Sequence, residues 1–64
     1  MKLKYDKEQD VLYISFNDEP IFESDEEKQG IILDYSVSGG VVGIEILEAS
    51  KQLGNPTKVE YEVA

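Results

Sequence analysis

The chain is 64 residues long, enough for one small domain and too short for two cores. Six basic residues against fourteen acidic ones give a formal charge of −8, a field that repels nucleic-acid phosphates and anionic lipid surfaces. With no cysteine and no histidine, disulfides, thiolate or imidazole zinc sites and a Ser-His-Asp nucleophile are all excluded.

The 41% of hydrophobic residues fall in organised runs, which predicts a folded chain despite the charge. No apolar stretch approaches the roughly 20 residues that span a bilayer. The first residues, Met-Lys-Leu-Lys-Tyr-Asp, lack the apolar stretch of a secretion signal, so a cytoplasmic location is expected. A domain this small buries only about 60% of its unfolded surface, which makes oligomerisation an expected source of added stability.

Leu3 and Tyr5 alternate with Lys2, Lys4 and Asp6, the pattern of a strand. After a polar connection, Lys7 to Asp10, the run Val11-Leu12-Tyr13-Ile14-Ser15-Phe16 has the strongest strand composition in the chain. A turn centred on Glu8-Gln9 sets Leu3 opposite Ile14 and Tyr5 opposite Leu12. All four then lie on one apolar face, with Lys4 beside Tyr13 and Asp6 beside Val11 on the other. Hairpin 1 is thus expected over about 2–17.

Residues 18–29 read as an acidic loop, with six acidic residues between Asp18 and Glu27. Ser24 and Glu27 have capping-box spacing, so a single helical turn there is the alternative. Hairpin 2 is expected over about 30–46, where a turn centred on either Ser38-Gly39 or Gly39-Gly40 sets Ile31, Leu33 and Tyr35 on one apolar face with Val42, Ile44 and Ile46. Its other face holds Ile32, Asp34, Val41, Gly43 and Glu45.

Residues 46–53 have helical composition, and Gly54 followed by Pro56 is a stop signal. So short a helix must dock on the sheet. Val59, Tyr61 and Val63 alternate with Lys58, Glu60 and Glu62, predicting a terminal edge strand or tail over 57–63. The expected fold is α+β: a small antiparallel sheet of two β-hairpins, four to five strands, with one short helix packed on one face.

Three segments together carry a resemblance: Tyr5-Asp6 with Asp10 to Ile14; Gly30 to Tyr35; and Gly40 to Leu47 with Ala49-Ser50. Over residues 1 to about 51 the chain resembles the prokaryotic family catalogued as domain of unknown function 2283, the Val-Gly-Ile-Glu-Ile-Leu segment being the most specific part. The resemblance implies a small β-rich domain with one short helix, and brings no activity, cofactor or catalytic residue. Relatives encoded beside small toxin-like proteins imply an antitoxin-like partner role.

Two groups of residues are candidate sites. Asp34 and Glu45, with Asp6 from the first hairpin, could form a carboxylate cluster for a hard cation, a small ligand or acid–base chemistry; the plainer alternative is pairing with Lys2 or Lys4, or capping of turn amides. Val11, Tyr13, Ile32 and Val41 on the second sheet face have the mixed composition of an interface, or of an ordinary solvated face. The acidic run is either a surface for a basic protein partner or a solvated loop. Gly39 to Gly43 lacks the Gly-Lys-Ser/Thr ending of a phosphate loop. The expected function is a non-enzymatic protein-binding module, a homodimer or antitoxin-like, without cofactor, nucleic acid or membrane; the alternative is a metal- or ligand-binding protein or minimal enzyme using Asp6, Asp34 and Glu45.

Overall fold

A computed structural model describes all of residues 1–64. Five strands, β1 (Lys2–Asp6), β2 (Val11–Ser15), β3 (Glu23–Lys28), β4 (Ile31–Tyr35) and β5 (Val41–Leu47), form one antiparallel sheet in the order β1-β2-β5-β4-β3. One helix, α1 (Ala49–Leu53), follows β5. No helix is long and apolar enough to cross a membrane.

The first hairpin has the register that alternation dictates: Leu3 opposite Ile14, Lys4 opposite Tyr13, Tyr5 opposite Leu12 and Asp6 opposite Val11. Its turn contains no glycine. Asp10 takes the left-handed φ of 57° instead, a conformation Asp tolerates better than most residues, and Asp6 Oδ1 accepts the Gln9 amide inside the turn.

In the second hairpin Ile31 meets Ile46, Ile32 meets Glu45, Leu33 meets Ile44 and Asp34 meets Gly43. A bulge then sets Tyr35 opposite Val41, leaving Val42 as the extra residue. The expectation of unbroken alternation is corrected there: Val41 stands in the row of Tyr35, not in the row of Ile32 and Asp34.

The acidic segment is not a loop over its whole length, nor a helical turn. Residues Glu23–Lys28 form β3, and every residue of it is exposed. Its partner β4 supplies the reason, since a strand at the sheet edge needs only one hydrogen-bonded neighbour and no buried face. Gly30, at φ +81°, closes the tight β3–β4 turn. The fifth strand therefore comes from this segment and not from residues 57–63, which form no strand. Residues 46 and 47 likewise extend β5, so the helix begins later than its composition indicates.

The two hairpins join through β2 and β5, with Leu12 opposite Ile46 and Ile14 opposite Ile44. The link from β2 to β3 must pass two intervening strands, and it is held at the sheet end by Phe16 N–H donating to Val42 O and Phe22 N–H to Tyr35 O. Read from β5 back to β2, this is a Greek-key order.

The core lies where α1 meets the apolar face. Ala49 is wholly buried against Leu12 and Ile46, with Tyr5, Ile14, Ile31 and Ile44 around them. An alanine at this contact lets the helix backbone approach the sheet closely. Only nine of the 64 residues are buried, because five residues of helix cover part of one face of a single-layer sheet.

Candidate functional site

On the face away from α1, backbone register lines up two rows across the sheet. One runs Lys2, Ser15, Gly43, Asp34, Ser24; the next runs Lys4, Tyr13, Glu45, Ile32, Glu26. Asp34 and Glu45 are thus diagonal neighbours on adjacent strands.

Asp34 is only 4% exposed. Gly43 lies opposite it: a Cβ there would stand in ordinary contact with Asp34 Oδ2, at 3.6 Å, but only 2.8 Å from the Ile14 carbonyl oxygen, which is what the glycine accommodates. The Ser24 hydroxyl donates to Asp34 Oδ1 at 2.6 Å. Loss of water pushes the Glu45 carboxyl above its ordinary value, and the hydrogen bond with Asp34 and the negative charge of Asp34 push it further. The result is a carboxyl–carboxyl–hydroxyl chain linking β5, β4 and β3.

Asp6 is not part of it. It lies on β1, separated from β4 by β2 and β5, and accepts the Gln9 amide within its own turn. No three acidic side chains converge in a way that could hold a metal ion. Lys2 and Lys4 make no ion pair either; the two pairs present, Lys51–Glu48 and Lys58–Glu60, are highly exposed and contribute little. The Ser24–Asp34–Glu45 group therefore has no basic partner to offset the burial and the Asp34 charge that raise the Glu45 carboxyl.

Among the interface candidates, Tyr13 and Ile32 flank Glu45 on either side and are half-buried. Val11 is 7% exposed and offers no free surface, while Val41 is more open but belongs to the Tyr35 row. Ser24 carries no sequence signal for its role, since β3 has no apolar alternation to reveal its register.

A second polar cluster sits on the other side of the sheet, where the first hairpin turn meets the start of α1. The Asp10 carboxylate accepts the Ser50 amide at 3.0 Å, the Ser50 hydroxyl at 2.6 Å and the Tyr5 hydroxyl at 2.6 Å, while the Asp10 backbone carbonyl accepts the Ala49 amide. Hydrogen bonds from Ser50 and Tyr5 hold the Asp10 carboxyl below its ordinary value, and the same bond to Asp10 raises the Tyr5 phenol. Glu48, preceding α1, makes no capping bond of its own. Asp10 caps the helix from forty residues away, and the signal for it was its place at the end of a turn without glycine.

The family model described as Protein of unknown function (DUF2283) matches residues 2–50. The chain belongs to this family. No curated protein and no solved structure matches the chain significantly. The matched span of the family covers all five strands, both polar clusters and the first two residues of α1; residues 51–64 lie beyond it.

Proposed function

We propose that this domain is a small non-enzymatic protein-binding module of the cytoplasm, and that self-association is part of its action. The observation that supports it is the mismatch between a single-layer sheet and its cover. Nine residues are buried, while large apolar side chains, among them Leu3, Phe16, Ile21, Phe22 and Tyr61, remain substantially exposed. Apolar surface of this extent on so small a body favours burial against another protein. The acidic β3 edge, with Glu23, Asp25, Glu26 and Glu27 exposed, adds a surface suited to a basic partner, a toxin-like protein included.

Sedimentation equilibrium across micromolar concentrations tests self-association directly: a concentration-dependent rise in mass is expected, and a strict monomer throughout refutes it.

The rival reading, a cation- or ligand-binding site or minimal enzyme at Asp34 and Glu45, has one observation in its favour, the raised carboxyl of Glu45. The open sheet face around it lacks the walls that exclude water from reacting groups. That rival predicts a thermal shift with magnesium, calcium or manganese that Asp34→Asn abolishes; melting unmoved by all three ions removes the cation version.

A further inference from the structure

The two edges of the sheet are managed differently. The β3 edge is lined with acidic side chains and interrupted by a bulge between Glu26 and Lys28, both of which discourage strand addition. The β1 edge has no bulge: it is regular, its Lys2 and Lys4 are basic and without ion-pair partners, so they repel a basic strand but suit an acidic one, and Leu3 is 41% exposed at the rim of the apolar face.

Elsewhere the chain holds a strand-patterned segment that joins no sheet. Residues 59–64 are exposed throughout and make no backbone hydrogen bond, although Val59, Tyr61 and Val63 alternate with charged residues as a half-buried strand requires. Tyr61 is 83% exposed. The segment leaves the body from a fixed point: Pro56 is buried, Asn55 Oδ1 accepts both the amide and the hydroxyl of Thr57, and the Lys58 amide donates to Asn55 O.

We propose that Lys58–Val63 of one copy pairs as an added antiparallel strand with the β1 edge of a second copy, reciprocally, giving a closed two-fold dimer. This rests on the self-association reading and names the surface that performs it. In one register Leu3 meets Tyr61 and Tyr5 meets Val59, which extends the apolar face. The same register sets Lys2 against Glu62, Lys4 against Glu60 and Asp6 against Lys58, so every charged pair is of opposite sign.

Alternatives are penalised. A slip of two residues places Lys4 opposite Lys58 in one direction or Asp6 opposite Glu60 in the other. A slip of one puts Val59 and Tyr61 on the charged side. Within its own chain the segment makes no backbone hydrogen bond to β1, so the acceptor proposed is a second copy.

The test exploits the absence of cysteine. Copies carrying Leu3→Cys are mixed with copies carrying Tyr61→Cys under mild oxidation, because paired strands bring Cα atoms within the roughly 4.4–6.8 Å that a disulfide requires. A mixed-copy disulfide is expected from this pair and not from Leu3→Cys with Lys58→Cys. In sedimentation, Glu60→Lys with Glu62→Lys should raise the dimer Kd on the order of tenfold, and adding Lys2→Glu with Lys4→Glu should restore it. A dimer that survives Tyr61→Pro and forms no such disulfide overturns the strand exchange while leaving self-association standing. A wild-type monomer overturns both, and a disulfide closing within one chain carrying both cysteines overturns the second copy as acceptor.

Discussion

Replacing Gly43 with alanine tests the packing of the central strand most directly. A Cβ at this position would lie 2.8 Å from the Ile14 carbonyl oxygen, a backbone atom that cannot swing aside. Since β5 is bonded to β2 on one side and β4 on the other, relief requires opening the β2–β5 spacing or twisting the strand. Overpacking of this kind costs about 1–3 kcal/mol. The total stability expected of a 64-residue domain is only about 3–10 kcal/mol. At about 4–8 °C per kcal/mol for domains of this size, a cost near 2 kcal/mol lowers Tm by about 8–16 °C. Gly39→Ala provides the comparison: its φ is +90° but nothing lies within 4 Å of the added Cβ, so only backbone strain of about 1 kcal/mol applies. Thermal melts followed by circular dichroism read both. A Gly43→Ala protein that melts with wild type, or above Gly39→Ala, refutes the close approach of β2 and β5 as described.

Three further outcomes follow from the polar clusters and the core. Glu45 has a raised pKa, so the folded state holds its proton more tightly than the unfolded state, and the stabilisation present below the ordinary 4.5 is lost as pH rises through the folded value. Glu45→Gln should therefore unfold at higher urea than wild type at about pH 8, with the advantage gone at about pH 4. Asp10 has the opposite sign: its lowered pKa contributes stability above the ordinary 3.8 that is lost as pH falls through the folded value. Asp10→Asn should flatten that acid limb and speed hydrogen exchange at the Ala49 and Ser50 amides, measured by NMR. Leu12→Ala, at the centre of the helix contact, should cost about 2–5 kcal/mol and bring the domain near its unfolding midpoint, whereas Leu3→Ala at the rim should cost far less.

How far the sequence can be read depends on whether a strand buries one face. The first hairpin does, and its register from Leu3–Ile14 to Asp6–Val11 follows from alternation alone. The second does as well until the bulge at Val42, which no pattern announces because valine suits either face. β3 buries neither face, so hydrophobic period carries no information there and charge suggests a loop. Without β3 in place, Ser24 cannot be set beside Asp34, and a neighbouring pair of carboxyls with a hydroxyl partner looks like a three-carboxylate cluster that includes Asp6. The terminal segment misleads in the opposite direction, since Val59, Tyr61 and Val63 have a strand's period but find no edge within the chain.

The segments that carry the family resemblance acquire a common physical role in the fold. Asp10 in the first and Ala49-Ser50 in the third meet in one hydrogen-bonded cap that ties α1 to the first hairpin, across a gap of forty residues. Asp34 in the second and Glu45 in the third form the other cluster, beside Gly43, where the glycine is required by the close approach of the Ile14 carbonyl. Each cluster ties together elements that backbone pairing alone leaves loosely connected: a five-residue helix in the first case, an all-exposed edge strand in the second. A single-layer sheet with nine buried residues depends on such ties, because its apolar contacts are few. On our proposal, then, the shared pattern over residues 2–50 maintains the platform, the accepting β1 edge included, and the segment that binds to it lies outside that pattern, beyond Asn55.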